Sequence, residues 1–326
     1  MAVPYSRYFL GFISWYGLLI AVGASLAVIL SSREAKRLNL PKDTIIDLAL
    51  WVLPIGILGA RAYYVLFSWE SYQSNPVSAL FIWEGGLAIY GGILAGLAVV
   101  VVFCRKRRLP LPVMADILVP GVALAQSIGR WGNYFNQEAY GIPLPENSPL
   151  CFFPLAVLIP ENGILTWHVA TFFLESVIDF TLFLFLVIGK RKLFRRPGDA
   201  ACFYFLFYAA GRIFVENLRM DSLYLGISVR VSQLISALLC TAGMICLIVR
   251  RREEKGLGMV ELILAAVSLL YDAAVLLFCI RSSAFSFTFG QETVFLGCFS
   301  FVTILTVLKL YGSTPQPEVF YAKDQV

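Results

Sequence analysis

The chain has 326 residues, of which 59% are hydrophobic and only 14% charged, with a net charge of +5. A mean hydropathy of +0.78 excludes an ordinary soluble domain. One histidine and seven cysteines without CxxC spacing offer no zinc site of the usual kind, so no metal or cofactor is expected.

The pattern predicts an all-α, polytopic transmembrane helix bundle, because run after run reaches the ~18–20 apolar residues that cross a bilayer. Nine spans are expected, at roughly 9–31, 44–68, 79–103, 110–129, 167–189, 199–219, 230–249, 259–280 and 285–309. The first is too long for a signal peptide's apolar core and lacks a basic leader, so it reads as retained. The fourth is the weakest, with Asp116 and a Pro120-Gly121 break. Residues 142–166 form the longest loop between spans, interrupted by five prolines and apolar enough at 150–159 to lie on a membrane surface. Residues 311–326 read as a short disordered tail.

Basic residues gather in alternate loops: Arg33, Lys36, Arg37 and Lys42; Arg105 to Arg108; Lys190 to Lys192 with Arg195 and Arg196; Arg250 to Arg252 with Lys255. The positive-inside rule then places the N-terminus outside and the C-terminus in the cytosol. That rule accounts for the net charge, so no nucleic-acid partner is expected. The domain reading is a seven-span core over 1–255, two added spans over 256–310, and the tail.

With this orientation the conspicuous polar groups share the outer half of the bilayer. Tyr16 lies about 10 Å below the outer end of the first helix and Arg61 about 25 Å along the second, at 1.5 Å per residue. Tyr90 and Glu175 lie in the outer-to-middle part of their helices, and Arg130 ends the fourth. Tyr208, Arg212 and Glu216 form an i, i+4, i+8 stripe that continues to Arg219 and must face the bundle rather than lipid. A structural Arg212–Glu216 pair is the plain alternative, weakened because a buried pair need not stabilise a fold. Gly85-Gly86 and Gly91-Gly92 serve either a close helix seam or backbone bared for a headgroup. His168 reads as structural, and several tryptophans as interfacial anchors.

The run Gly129-Arg130-Trp131-Gly132-Asn133-Tyr134-Phe135-Asn136-Gln137-Glu138-Ala139-Tyr140-Gly141 resembles the signature of the bacterial prolipoprotein diacylglyceryl transferase family. Ser14 to Leu18, Gly59 to Phe67, and Tyr208 to Arg219 resemble other elements of that family, so the likeness covers about residues 10–250. It implies a seven-span membrane transferase with an outside N-terminus, active toward the outer leaflet of the cell membrane. Its partners would be phosphatidylglycerol and the lipobox cysteine of a prolipoprotein signal peptide, with no cofactor. Carried onto this chain, the likeness implies catalytic roles for Arg130, Arg212, Glu216 and Tyr90. Phosphatidylglycerol would be bound by Arg130, Asn133, Asn136, Glu138, Gly141, Tyr16, Arg61, Gly85, Gly91, Tyr208 and Arg219. Many members place a histidine where Tyr90 stands, and the eighth and ninth spans lie outside the family core. An anion transporter and a silent lipoprotein-binding relative are the competing classes. The first is disfavoured by polar groups confined to one half of the bilayer, without paired broken helices at the midplane. The second is disfavoured by the intact Arg130, Asn133, Arg212 and Glu216.

Overall fold

A computed structural model describes residues 7–9, 11, 13–161, 163–189, 193–194, 196–222, 224–225, 229–255, 258–280, 295–296, 298 and 302–305. The chain is mostly helical: α1 (Trp15–Arg37), α2 (Thr44–Phe67), α3 (Ile89–Arg107), α4 (Leu111–Asn136), α5 (Thr171–Gly189), α6 (Asp199–Leu218), α7 (Val231–Lys255) and α8 (Met259–Ile280). Among the described residues, α1 to α5 and the Val231–Arg250 part of α7 are long and apolar enough to cross a membrane. The protein is therefore a multi-pass membrane helix protein. Of the nine expected spans, the ninth and the tail lie outside the described residues, apart from short helical pieces at 295–296, 298 and 302–305.

Among the described residues, three short antiparallel pairs supplement the helices: β1 (Tyr8–Phe9) with β2 (Ile13–Ser14), β3 (Ala156–Glu161) with β4 (Ile164–Val169), and β5 (Tyr224–Leu225) with β6 (Val229–Arg230). They correct three expected boundaries. Residues 13–14 and 167–169 are extended rather than helical, and the loop stretch 156–161 is a strand. Residues 69–71, 76–80 and 82–84 form 3-10 turns, so α3 starts ten residues later than the apolar run at 79 predicts.

Contacts divide the chain into two compact units. In the unit formed by residues 28–118, α2 and α3 meet through glycines: a Cβ on Gly59 would strike Ala95 and stand 2.8 Å from the Gly91 carbonyl, and one on Gly91 would strike Gly59 and Tyr63. Bare backbone lets the two helices approach, as small residues do within membranes. At the far end of this hairpin, Leu38, Leu40, Ile45, Leu48, Phe103, Met114 and Ile117 form an apolar core.

The other unit contains the described residues of 1–27 and 119–320. Pro120 and Gly121 do not break α4, which runs through both. Gly121 instead faces α1, where an added Cβ would lie 2.9 Å from the Ala27 Cα; Gly23 faces Ala125 in the same way at 3.1 Å. The Pro120-Gly121 pair thus marks a tight helix crossing, and tertiary contact overrides local breaking propensity. Next in the chain, α5 and α6 pack as neighbours, and α7 packs on α6. Gly121→Val overpacks the α1–α4 crossing and should cost about 1–3 kcal/mol. Gly129→Ala, where a Cβ meets nothing within 4 Å, should leave stability unchanged or slightly higher. Thermal unfolding of the purified variants in detergent checks both.

Candidate active site

The site grows from one junction. After α4 the chain turns through Gln137 and Ala139, both at φ 54°, and then runs extended. Gly141 N–H donates to the Val169 carbonyl at 2.8 Å, Ile142 N–H to Leu218 at 3.0 Å, and Val169 N–H to Ile142 at 3.1 Å. Thr171 Oγ1 donates to the Ala139 carbonyl at 2.5 Å. The end of α4, the start of α5 and the end of α6 are thereby tied to one four-residue stretch. Gly141 is required there, since a Cβ would come within 2.8 Å of both the Leu218 carbonyl and Thr171 Cγ2. His168, fully buried, holds the same stretch through Nδ1 and the Gly141 carbonyl at 2.8 Å, which agrees with a structural role.

Polar clasps fix the rotation of α4 against α5. Ser127 Oγ donates to the Ser176 carbonyl at 2.8 Å, Ser176 Oγ returns a bond to the Ser127 carbonyl at 2.9 Å, and Trp131 Nε1 donates to Ser176 Oγ at 3.0 Å. Gly211 lets α6 lie close to α5, because a Cβ there would meet Ile178 Cγ2 at 2.7 Å. These contacts bring three arginines onto one carboxylate. Arg130 Nε stands 2.8 Å from Glu175 Oε2, Arg212 Nη1 donates to Glu175 Oε1, and Arg219 Nη1 is 3.6 Å from the same oxygen.

Further carboxylates surround this centre. Asp179 Oδ2 lies 4.0 Å from Arg130 Nε, Glu216 Oε2 lies 2.6 Å from Arg212 Nη2, and Asp221 accepts two bonds from Arg219 at 2.8 and 2.7 Å. Glu175, Asp179 and Glu216 are only 4%, 2% and 1% exposed. The arginine side chains, at 21%, 15% and 12% for Arg130, Arg212 and Arg219, are the more accessible partners. Tyr208 lines a narrow crevice of about 10 Å³ with Arg130, Glu175, Asp179 and Arg212. Chemically, the cluster offers forked, fixed donors suited to phosphate oxygens.

One turn beyond Arg130, the signature side chains form their own group. Asn133 Nδ2 and Asn136 Nδ2 both donate to Glu138 Oε1 at 3.2 Å, so Glu138 is bound to the asparagines. Tyr16 lies across Gly132, where a Cβ would strike its ring. The junction therefore gathers Tyr16, Arg130, Asn133, Asn136, Glu138, Gly141, Tyr208, Arg212, Glu216 and Arg219 within one unit.

The remaining predicted residues belong to the unit of residues 28–118. Arg61 is buried and donates only to backbone carbonyls among its described bonds: Nε to Ala79 at 2.9 Å, Nη1 to Gly85 at 2.5 Å and Gly86 at 3.2 Å, and Nη2 to Ser78 at 2.9 Å. Its guanidinium also lies over the Tyr72 ring at 5.3 Å. It thus organises the 3-10 segment leading to α3. Gly85 takes a φ of 89° there, a conformation that favours glycine. Gly91 lies in the α2–α3 seam, and Tyr90, half-buried, is the second residue of α3. Arg61→Ala should cost at least about 1.5–3 kcal/mol, the worth of a hydrogen bond to a charged group, and open residues 68–88 to cleavage. Limited proteolysis of the variant checks this.

Sequence reasoning left two residues out of the site. Glu175 was noted for its depth alone, and Asp179 not at all. Their signal is an i, i+4 carboxylate pair inside a helix that is otherwise almost wholly apolar, where unpaired charge is too costly to persist.

The family profile of prolipoprotein diacylglyceryl transferase matches residues 8–249. A phosphatidylglycerol–prolipoprotein diacylglyceryl transferase of Limosilactobacillus reuteri is 44% identical over 246 residues, covering 74% of this chain and 88% of the relative. Relatives of the same name from Enterococcus faecalis and Streptococcus agalactiae are 44% and 41% identical, covering 73% and 74% of this chain and 87% and 93% of their own length. With 8–249 matched and the arginine junction inside that range, the chain belongs to the prolipoprotein diacylglyceryl transferase family.

Proposed function

We propose that this chain transfers the diacylglyceryl group of phosphatidylglycerol to the lipobox cysteine thiol of prolipoproteins, the lipid-adding step of lipoprotein maturation. The observation that carries the reading is the convergence of Arg130, Arg212 and Arg219 at the Glu175 carboxylate. It lies in a chain whose relatives bear that activity in their names. The enzyme sits in the cytoplasmic membrane with its N-terminus outside and its C-terminus in the cytosol, seven spans forming the core and two more following. Its site serves the outer leaflet, where secreted precursors emerge.

In the reaction the cysteine sulfur attacks the glycerol carbon next to the phosphate. The S–H proton is lost, an S–C bond forms, and the C–O bond to phosphate breaks. Glycerol phosphate leaves with the electron pair of that bond, and a thioether remains. Charge grows on the departing phosphate, so fixed guanidinia in a water-poor site stabilise the transition state. Arg130 and Arg212 grip phosphate oxygens, and Glu216, 2.6 Å from Arg212, orients it. Asn133, Asn136 and Glu138 meet glyceryl hydroxyl or ester oxygens, with Tyr16 and Tyr208 beside them. A free thiol with pKa near 8.5 is only a few per cent thiolate at neutral pH. Deprotonation is assigned to Glu138, water or the field of the arginines. Tyr90 positions substrate, because a phenol of pKa near 10 is a poor base.

Complementation of a transferase-depleted bacterium tests the reading: the full chain restores lipoprotein maturation, and its failure while present in the membrane contradicts the assignment. A chain ending at residue 255 should also complement. Arg130→Lys should accumulate normally yet lose at least about 100-fold in turnover, the scale of one removed transition-state donor. Wild-type turnover by the lysine variant would remove the phosphate clamp. Tyr90→Phe should retain turnover within one to two decades, equivalent to a lost bond worth ~1–3 kcal/mol. A folded but inactive Phe variant, beside an active Tyr90→His, would make the residue a proton carrier instead.

A further inference from the structure

The arginines that would bind phosphate are already engaged. Glu175 takes both Arg130 and Arg212, one on each carboxylate oxygen, and reaches Arg219 with the second. Asp179, Glu216 and Asp221 surround the same three cations, so the guanidinia do not outnumber the carboxylates. The crevice they line, about 10 Å³, leaves little free space among these groups. A second anion cannot enter this arrangement without like-charge repulsion at short range. One carboxylate must give way.

We infer that Glu175 is an internal anion that holds Arg130, Arg212 and Arg219 in the lipid-free protein and is exchanged for the headgroup phosphate. The inference rests on the phosphate-binding role of the arginines proposed above. Glu175 is the only described carboxylate that touches all three. It projects from the start of the second turn of α5, whereas Arg130 and Arg212 project from α4 and α6. Rotation of the glutamate side chain therefore vacates the donors while those two helices stay in place. Glu216, on the same helix as Arg212 and close to it, remains as that arginine's tether, and Asp221 remains with Arg219. The exchange also gives the leaving phosphate a competitor: as glycerol phosphate departs, the carboxylate returns to the same donors and the site resets. Glu175 thus sets the apparent affinity of the site. By occupying the donors it lowers the affinity of any anion, so that a ligand fills the site only when its remaining contacts offset the displacement.

Binding of glycerol phosphate to the full-length, detergent-purified protein tests this, measured by titration calorimetry for wild type, Glu175→Gln, Glu175→Asp, Asp179→Asn and Arg212→Ala. When an internal group blocks a site, apparent affinity falls by the open fraction; a carboxylate engaged about nine-tenths of the time makes the Gln variant bind about tenfold tighter. Glu175→Asp, one methylene shorter, should bind more tightly than wild type as well, and it decides the matter should the Gln variant not accumulate. Asp179→Asn, whose carboxylate lies 4.0 Å from Arg130 and makes no described ion pair with Arg212 or Arg219, should change affinity less than either. Turnover should separate from binding: for Glu175→Gln the KM for phosphatidylglycerol falls, and product release slows kcat. Unchanged or weaker binding by folded Glu175 variants would overturn the exchange and leave the residue a strut between helices. Unchanged binding by Arg212→Ala would instead remove the arginine–phosphate reading itself, a distinct outcome.

Discussion

A carboxylate that is 4% exposed in an apolar helix needs cations around it, and much of the unit containing it is arranged to supply them. The desolvation of Glu175 is offset only if its partners approach in good geometry and stay there. Arg130 comes from α4, Arg212 from α6 and Arg219 from the residue after α6, so three segments must end or begin within a side chain's reach of one point. The serine clasp between α4 and α5, the bare surface at Gly211 and the hydrogen-bonded stretch at Gly141 each serve that convergence.

This constraint explains why the polar signature is placed where a helix stops. Arg130 lies within the last two turns of α4, and the residues after it leave the helix through two left-handed positions. Asn133, Asn136 and Glu138 then fold back onto one another rather than onto the arginines. The result is two adjacent polar groups, one a cluster of arginines paired with carboxylates, one amide-rich and beside the turn. In the proposed reaction the first meets the phosphate and the second the glyceryl oxygens. Fixed dipoles and charges of this sort cost no reorganisation when charge develops, which is the usual source of catalytic advantage in a dry site.

How much of this was legible in the sequence depends on which physical signal carries each part. Hydropathy set out α1, α2 and α4 to α8 to within a few residues except at both ends of α1 and the C-terminal ends of α4 and α7, because long apolar runs have one stable outcome in lipid. The i, i+4 spacing of Arg212 and Glu216 raised their ion pair only as the plain alternative to a ligand role, and the structure forms it. The β3–β4 hairpin was not legible, since the prolines of the surrounding loop and a short apolar run read as loop, although residues 156–161 pair locally with 164–169. The Pro120-Gly121 pair read as a break because local propensity knows nothing of Ala27 across the crossing. Glu175 is the instructive omission: its depth was visible, but its role depends on three arginines separated from it by up to 45 positions, and only the tertiary fold joins them. For Arg61, sequence pointed to a headgroup, whereas its described bonds all run to backbone carbonyls.

The central claim is that arginines from different helices act as one phosphate-binding unit. A double-mutant cycle tests it directly, using kcat/KM for thioether formation from phosphatidylglycerol in wild type, Arg130→Lys, Arg212→Lys and the double variant. Groups that act on one substrate atom set are strongly non-additive, with coupling of about 0.5–3 kcal/mol. The account predicts that the second substitution costs far less once the first is present. Strictly additive losses, with each arginine contributing the same whether or not the other is intact, would contradict it.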